Sequence, residues 1–291
     1  MSKKIVFMGT PEFAVQTLEI LAKSKYKLEY VYTQPPKKSS RGQKLNPTPV
    51  QIAAERLNLK IRTPKFLNNS TEYDFFKSIN PYIVIVVAYG QILSKKYLDL
   101  PEKGFINIHA SLLPKWRGAA PIQRSIMNQD KETGISYMKI EEGLDTGPFF
   151  NQIKVKIDEN TTSYDLNNIL AKLGAENILE CINNIEKNKA NFIKQDKNKV
   201  SYANKIKKSE SKIIWSEKAK NIIAKINGLN PSPGAWFEHK GVRYKILRAK
   251  ISNLSGEPGK VLNQNLIIGC KEKSINILEI QKEGKNKLLI E

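Results

Sequence analysis

Two short stretches of this 291-residue chain carry residue types suited to acyl transfer. Asn107 and His109 stand two apart at the end of an apolar run, Phe105 to His109, that reads as a strand. Period-two geometry puts both side chains on one face. The carboxyl ends of strands in an open α/β sheet are where such folds bind ligands. The second stretch, Glu141 to Pro148, is an acidic loop in which Gly143 and Gly147 allow turns that could swing Asp145 inward. An Asn amide and a His imidazole can donate to the oxyanion that forms when an amine attacks a carbonyl carbon. An imidazole moves protons near neutral pH, and a carboxylate beside it orients the ring and favours its charged form. The bland alternative is a strand-end histidine with its hydrogen bonds satisfied and an aspartate that shapes a turn. Whether the two stretches meet decides between them.

The elements that must position these residues follow from hydrophobic patterning. Ile5 to Met8 and Tyr82 to Ala88 are continuous apolar runs, the pattern of parallel strands covered on both faces. Thr10-Pro11-Glu12 and Thr48-Pro49 read as helix starts, with a capping Thr and Pro in the first turn. Strands are expected over 28–33 and 105–109, helices near 71–79 and 120–127, and a strand pair, 134–140 with 149–157, at the far edge of the sheet. One long helix over 163–185 closes the first domain. Alternating strands and helices predict an open α/β sheet. Domain 1 is expected to span 1–188 and a basic linker 189–208. A second domain, 209–291, opens with a helix near 217–226. Short segments at 235–237, 242–249, 266–270 and 275–280 then predict a small β-barrel.

Several function classes are disfavoured. A dinucleotide fingerprint needs glycines close to the pyrophosphate, whereas Gly9 is followed by Thr10, Pro11 and Glu12, so no NAD is expected. The two cysteines, Cys181 and Cys270, and two histidines, His109 and His239, show no metal-ligand spacing, and no metal is expected. No apolar run reaches the roughly 20 residues of a membrane span. The apolar start, Ile5 to Met8, is too short for a signal peptide, so a cytoplasmic location is expected. The formal net charge is +20, which favours a polyanionic partner if the lysines cluster. Between Lys189 and Lys212 there are eight lysines and only Asp196 and Glu210 as acids.

The stretch His109-Ala110-Ser111-Leu112-Leu113-Pro114, followed by Arg117-Gly118 and Pro121-Ile122, resembles the signature of the folate-dependent formyltransferases. Gly143-Leu144-Asp145-Thr146-Gly147 resembles their second signature, and Met8 to Ala14 and Val86 to Gly90 fit the same family. Tyr202-Ala203 and Asn227 to Trp236 resemble the branch of the family that acts on methionyl-tRNA. The resemblance implies a Rossmann-like formyltransferase domain followed by a small open, OB-like β-barrel domain. It implies 10-formyltetrahydrofolate as formyl donor, initiator methionyl-tRNA as acceptor, and a role in translation initiation. Asn107, His109 and Asp145 match the catalytic residues. Ser111, Leu112, Leu113 and Pro114 match the folate-lining stretch, with Val87, Ala88, Tyr89 and Gly90 as the opposite wall of the pterin site. A monomer is expected.

Two basic stretches are candidates for tRNA. Gln34 to Pro49 holds Lys37, Lys38, Arg41 and Lys44 without an acidic residue, and it follows a strand whose carboxyl end faces the expected site. The resemblance makes this the inserted loop that wedges against the tRNA acceptor end, with Arg41 its leading residue. Lys205, Lys207 and Lys208 supply a second set, and all of these are contacts that position rather than specify. Trp215 and Trp236 read as barrel core rather than as base-stacking surface.

Overall fold

The computed structural model describes residues 3–39 and 44–290. In chain order its elements begin with β1 (Lys4–Gly9), α1 (Val15–Ala22), β2 (Lys27–Tyr32), β3 (Lys37–Ser39), β4 (Lys44–Asn46), α2 (Pro49–Arg56), β5 (Ile61–Arg62) and α3 (Ser70–Ile79). Next come β6 (Ile83–Val87), α4 (Lys95–Leu98), β7 (Phe105–His109), β8 (Arg117–Gly118), α5 (Pro121–Met127), β9 (Glu132–Lys139), β10 (Phe149–Lys156), α6 (Ser163–Glu176) and α7 (Ile178–Glu186). The chain closes with β11 (Tyr202–Ala203), α8 (Ala219–Leu229), β12 (Ala235–His239), β13 (Val242–Ser252), β14 (Ile267–Gly269), β15 (Ser274–Lys282) and β16 (Lys287–Leu289).

The principal sheet has seven strands in the order β10-β9-β7-β6-β1-β2-β5. From β7 to β5 every pairing is parallel. Residues Ile5 to Met8 of β1 and Ile83 to Ile85 of β6 have no exposed surface. Both faces are covered, which is why these strands show unbroken apolar sequence instead of alternation. On one side Phe76 and Ile79 of α3 join Tyr97 and Phe105, and the Phe76 and Phe105 rings stack 6.1 Å apart. The expected edge pair is present, and β9 runs antiparallel to β7, with His109 opposite Ser136.

Helix α2 begins as its sequence demands: Thr48 accepts the Gln51 N–H at 3.0 Å and Pro49 takes the first helical position. Thr10 does not cap a helix. Its hydroxyl donates to the Tyr89 carbonyl at 2.8 Å, because the turn after β6 offers an acceptor there, and Pro11 leads into a 3₁₀ turn over Glu12–Ala14 before α1. The single long helix expected over 163–185 is broken between α6 and α7. The Asn177 amide donates to the Leu173 carbonyl at 2.9 Å, competing with the helical backbone at the break. Within the basic stretch after β2, β3 and β4 pair antiparallel, Lys37 with Asn46 and Lys38 with Leu45.

The chain packs as two compact units. One comprises 1–117, 134–154 and 168–201; the other comprises 118–133, 155–167 and 202–291. In the second, β12-β13-β15-β14 form an antiparallel sheet, with β16 added on β15. Helix α8 buries Ala219, Ile222, Ile226 and Leu229 in one cluster with Ile246, Ala249, Ile275 and Ile277. Each fully buried Ile or Leu there contributes about 1.5–3 kcal/mol. Trp215 packs on this cluster, as expected of core. Trp236 is only half-buried, and the Arg243 guanidinium lies over its ring, 4.0 Å from the centroid. No helix among the described residues is long and apolar enough to cross a membrane, and no group of three His, Cys, Asp or Glu side chains there could hold a metal ion.

Candidate active site

The carboxyl end of β7 carries Asn107, half-buried, and His109, whose side chain is 6% exposed. The 141–148 loop folds back onto it: Asp145 Oδ2 lies 3.6 Å from His109 Nδ1, and the carboxylate is 18% exposed. The loop's geometry is imposed locally. Gly143 has φ +109°, a conformation costly for other residues, and the Thr146 hydroxyl donates to the Glu142 carbonyl at 3.0 Å across the turn. A Cβ on Gly147 would fall 1.9 Å from the Lys139 carbonyl oxygen, so only glycine lets the loop close onto the end of β9. Asp145 itself is left-handed, with φ +51°.

The other imidazole nitrogen is also engaged. His109 Nε2 lies 2.9 Å from the Trp116 carbonyl oxygen. A carbonyl only accepts, so Nε2 carries a proton in this arrangement. The ring thus lies between a carboxylate on its Nδ1 side and a carbonyl acceptor at Nε2. Trp116 is left-handed too, with φ +62°. Sequence patterning carries no sign of this carbonyl, because a backbone atom leaves no residue signature.

The turn after His109 is held from beneath. The Ser111 hydroxyl donates to the Lys115 carbonyl at 2.6 Å, and the Ser136 hydroxyl donates to the Ser111 carbonyl at 2.6 Å. The Leu113 N–H donates to Ser136 Oγ at 3.0 Å, and the Gln152 amide donates to the Leu113 carbonyl at 2.8 Å. Ser111 and Leu113 are buried, while Leu112 and Pro114 are half-exposed. Of this stretch only the latter two present side-chain surface. On the neighbouring strand Val87 is buried, and Ala88 and Gly90 are exposed with φ +48° and +84°. Tyr89 points into the core at 2% exposure, where burial pushes its phenol well above the ordinary range. Its carbonyl is held by Thr10 and by the Gln34 amide at 3.2 Å. The 87–90 turn therefore offers backbone, not a tyrosine ring.

The basic candidates divide into two groups. Lys37 is exposed on β3; Lys38 and Lys44 lie on β3 and β4; Arg41 falls outside the described residues. Lys205, Lys207 and Lys208 are all exposed. Their segment is anchored by Arg124, which donates to both Glu210 oxygens at 2.7 and 3.1 Å and to the Asn204 carbonyl. Glu210 also accepts the Lys207 N–H at 2.8 Å. The Arg124 bond, followed by the bond from the Lys207 backbone, holds the Glu210 carboxyl below its usual range.

A strand-end imidazole, two residues on from an amide, is met by a loop carboxylate on a mixed α/β sheet, groups suited to group transfer. The chain belongs to the formyl transferase family: the formyl transferase domain matches residues 3–182 and the family's C-terminal domain matches residues 205–291. The methionyl-tRNA formyltransferase of Pelagibacter ubique (strain HTCC1062) is 56% identical over 287 residues, covering 98% of this chain and 93% of that protein. The methionyl-tRNA formyltransferase of Rhodopseudomonas palustris (strain BisB18) is 43% identical over 289 residues, with the same 98% and 93% coverage. Among solved structures, an N-formyltransferase from Helicobacter canadensis in complex with folinic acid and dTDP-3-aminofucose superposes with a TM-score of 0.73. It is 20% identical and covers 97% of this chain and 100% of that one. HypX from Aquifex aeolicus in complex with tetrahydrofolic acid superposes with a TM-score of 0.66 at 15% identity, over 99% of this chain and 46% of that one. Likeness at that level of identity establishes the shared fold.

Proposed function

We propose that this chain transfers the formyl group of 10-formyltetrahydrofolate to the α-amino group of methionine carried on initiator methionyl-tRNA, in translation initiation. The observation that carries this reading is the 56% identity, over 98% of the chain, to a protein named for that activity. The grouping of His109 with Asp145 beside Asn107 supplies groups suited to the chemistry.

The methionyl amine attacks the formyl carbon, a C–N bond forms, and the carbonyl π electrons move onto oxygen. Asn107 and protonated His109 donate to that oxyanion, and Asp145 holds the charged ring. The Nε2 proton, given to the Trp116 carbonyl in this structure, exchanges that acceptor for the oxyanion. The intermediate then collapses: the bond to the folate N10 breaks, and the ammonium proton passes to the leaving nitrogen. Half-exposed Leu112 and Pro114, with the backbone turn at Val87 to Gly90, line the pterin site, while buried Ser111 and Leu113 fix its floor. Lys37, Lys38, Arg41 and Lys44 meet the acceptor end of the tRNA, and Lys205, Lys207 and Lys208 meet its phosphates.

The test is transfer of radiolabelled formyl to charged initiator tRNA, compared with uncharged tRNA and with elongator methionyl-tRNA. Label on the charged initiator alone is the expected result. Equal formylation of free amino sugars, or none of tRNA, would overturn the assignment.

A further inference from the structure

Outside the signature stretches lies a residue that the mechanism above does not use. From residue 191 to residue 199 every side chain is exposed except Gln195. Its amide is fully committed. Nε2 donates to the Asp145 carbonyl at 2.8 Å and to the Gly147 carbonyl at 2.7 Å. Oε1 accepts from Arg117 Nε at 3.0 Å and from Arg117 Nη2 at 2.8 Å, and Arg117 is only 7% exposed. Six residues further on, the same segment grips the other loop. Ser201 Oγ accepts the Trp116 N–H at 3.0 Å, and the Ser201 carbonyl accepts the Arg117 N–H at 2.9 Å. The segment is thus bonded to both loops whose oxygens face the His109 ring. In each loop the residue facing the ring has left-handed backbone, a conformation that persists only where its surroundings over-determine it.

We propose that Gln195 is a positioning residue of the active site: bridged to the buried Arg117, it clamps the 145–147 backbone so that the Asp145 carboxylate stays on His109. The role rests on the assignment of Asp145 and His109 to catalysis. A glutamine is suited to it because its amide offers two N–H bonds to the carbonyls and an acceptor to the guanidinium at once. A glutamate of the same shape keeps the arginine but loses both donors and turns an oxygen on the two carbonyls.

Gln195→Glu is therefore the informative variant, measured in a cycle with Asp145→Asn. In the otherwise wild-type chain it should lower kcat about 10- to 100-fold, with KM for either substrate within about threefold. In the Asp145→Asn background it should cost less than about threefold, since the carboxylate it positions is gone. Gln195→Met, which removes the donors without adding charge, should follow the same pattern if the glutamate destabilises the chain. Equal losses in both backgrounds, or an unchanged kcat in the single variant, would overturn the proposal. A second readout needs no substrate. The chain has two histidines, so the His109 ring nitrogens are resolved by NMR against His239. At fixed pH, Gln195→Glu and Asp145→Asn should move the His109 ring signals in the same direction and leave those of His239 in place; an unmoved His109 signal in Gln195→Glu would overturn the proposal. If the wild-type chain formylates no methionyl-tRNA, the functional reading fails while the ring measurement still decides the positioning role.

Discussion

Asp145→Asn isolates one charge at the site. Asn tolerates left-handed backbone as Asp does, so the φ of +51° is retained and the loop keeps its path. Two unit charges 3.6 Å apart interact by about 4–5 kcal/mol at an effective dielectric constant of about 20, the regime suited to a pair this far out of solvent. The Asn dipole retains part of that attraction to the imidazolium, and relief of carboxylate desolvation offsets more. A loss of about 2–3 kcal/mol in the transition state remains, or about 30- to 150-fold in kcat. Steady-state formyl transfer at saturating donor, with varied methionyl-tRNA, measures it. KM should change little, because the imidazolium donor that Asp145 holds is used on the oxyanion, which forms only on the way to the transition state. A kcat within threefold of wild type, in a variant with unchanged Tm, would refute the view that the carboxylate supports His109.

The remaining predictions concern other parts of the molecule. Replacing exposed Lys205, Lys207 and Lys208 by Ala should raise KM for tRNA with little effect on kcat and should flatten the dependence of log Kd on log salt by about 2–3, read by filter binding at several salt concentrations. Burial pushes the Cys181 thiol up to about 12 and the Cys270 thiol up to about 11, so neither should react with a thiol reagent at pH 8 until the chain unfolds. Rapid labelling of the native protein would contradict their packing. The Glu210 carboxyl is held low, so its contribution is complete above its ordinary pKa, about 4.5, and fades as pH falls through the lower folded value. Thermal melts should accordingly show Arg124→Ala destabilising the chain at pH 7 by about 1 kcal/mol, and by less at pH 3.

The strands that carry the site are legible because burial on both faces leaves an unbroken apolar run, as in Ile83 to Val87. The start of α2 is legible from Thr48-Pro49, where cap chemistry is local. Asp145 is legible as a candidate because Gly143 and Gly147 flank it, whereas its meeting with His109 is visible only in the fold. Other features depend on long-range partners. Gln195 sits among lysines with no periodic signal, and its role exists only because Arg117 and two carbonyls converge on it. Thr10 reads as a cap because its local sequence says so, but the Tyr89 carbonyl, 79 residues away, outcompetes that use. The β3–β4 pair reads as a loop since three-residue strands rich in lysine carry no hydrophobic alternation.

The division of the chain has a practical consequence for anyone who would dissect it. The polypeptide passes from one unit to the other at 117/118, 133/134, 154/155, 167/168 and 201/202. A fragment ending near residue 188 would thus carry α5 without α8, which packs against it in the C-terminal unit. Met127, which packs on the cluster around α8 in the intact chain, would lose that cover there. Half-length pieces should therefore be sticky rather than inert, and rejoining the halves in trans should be a more informative experiment than studying either alone.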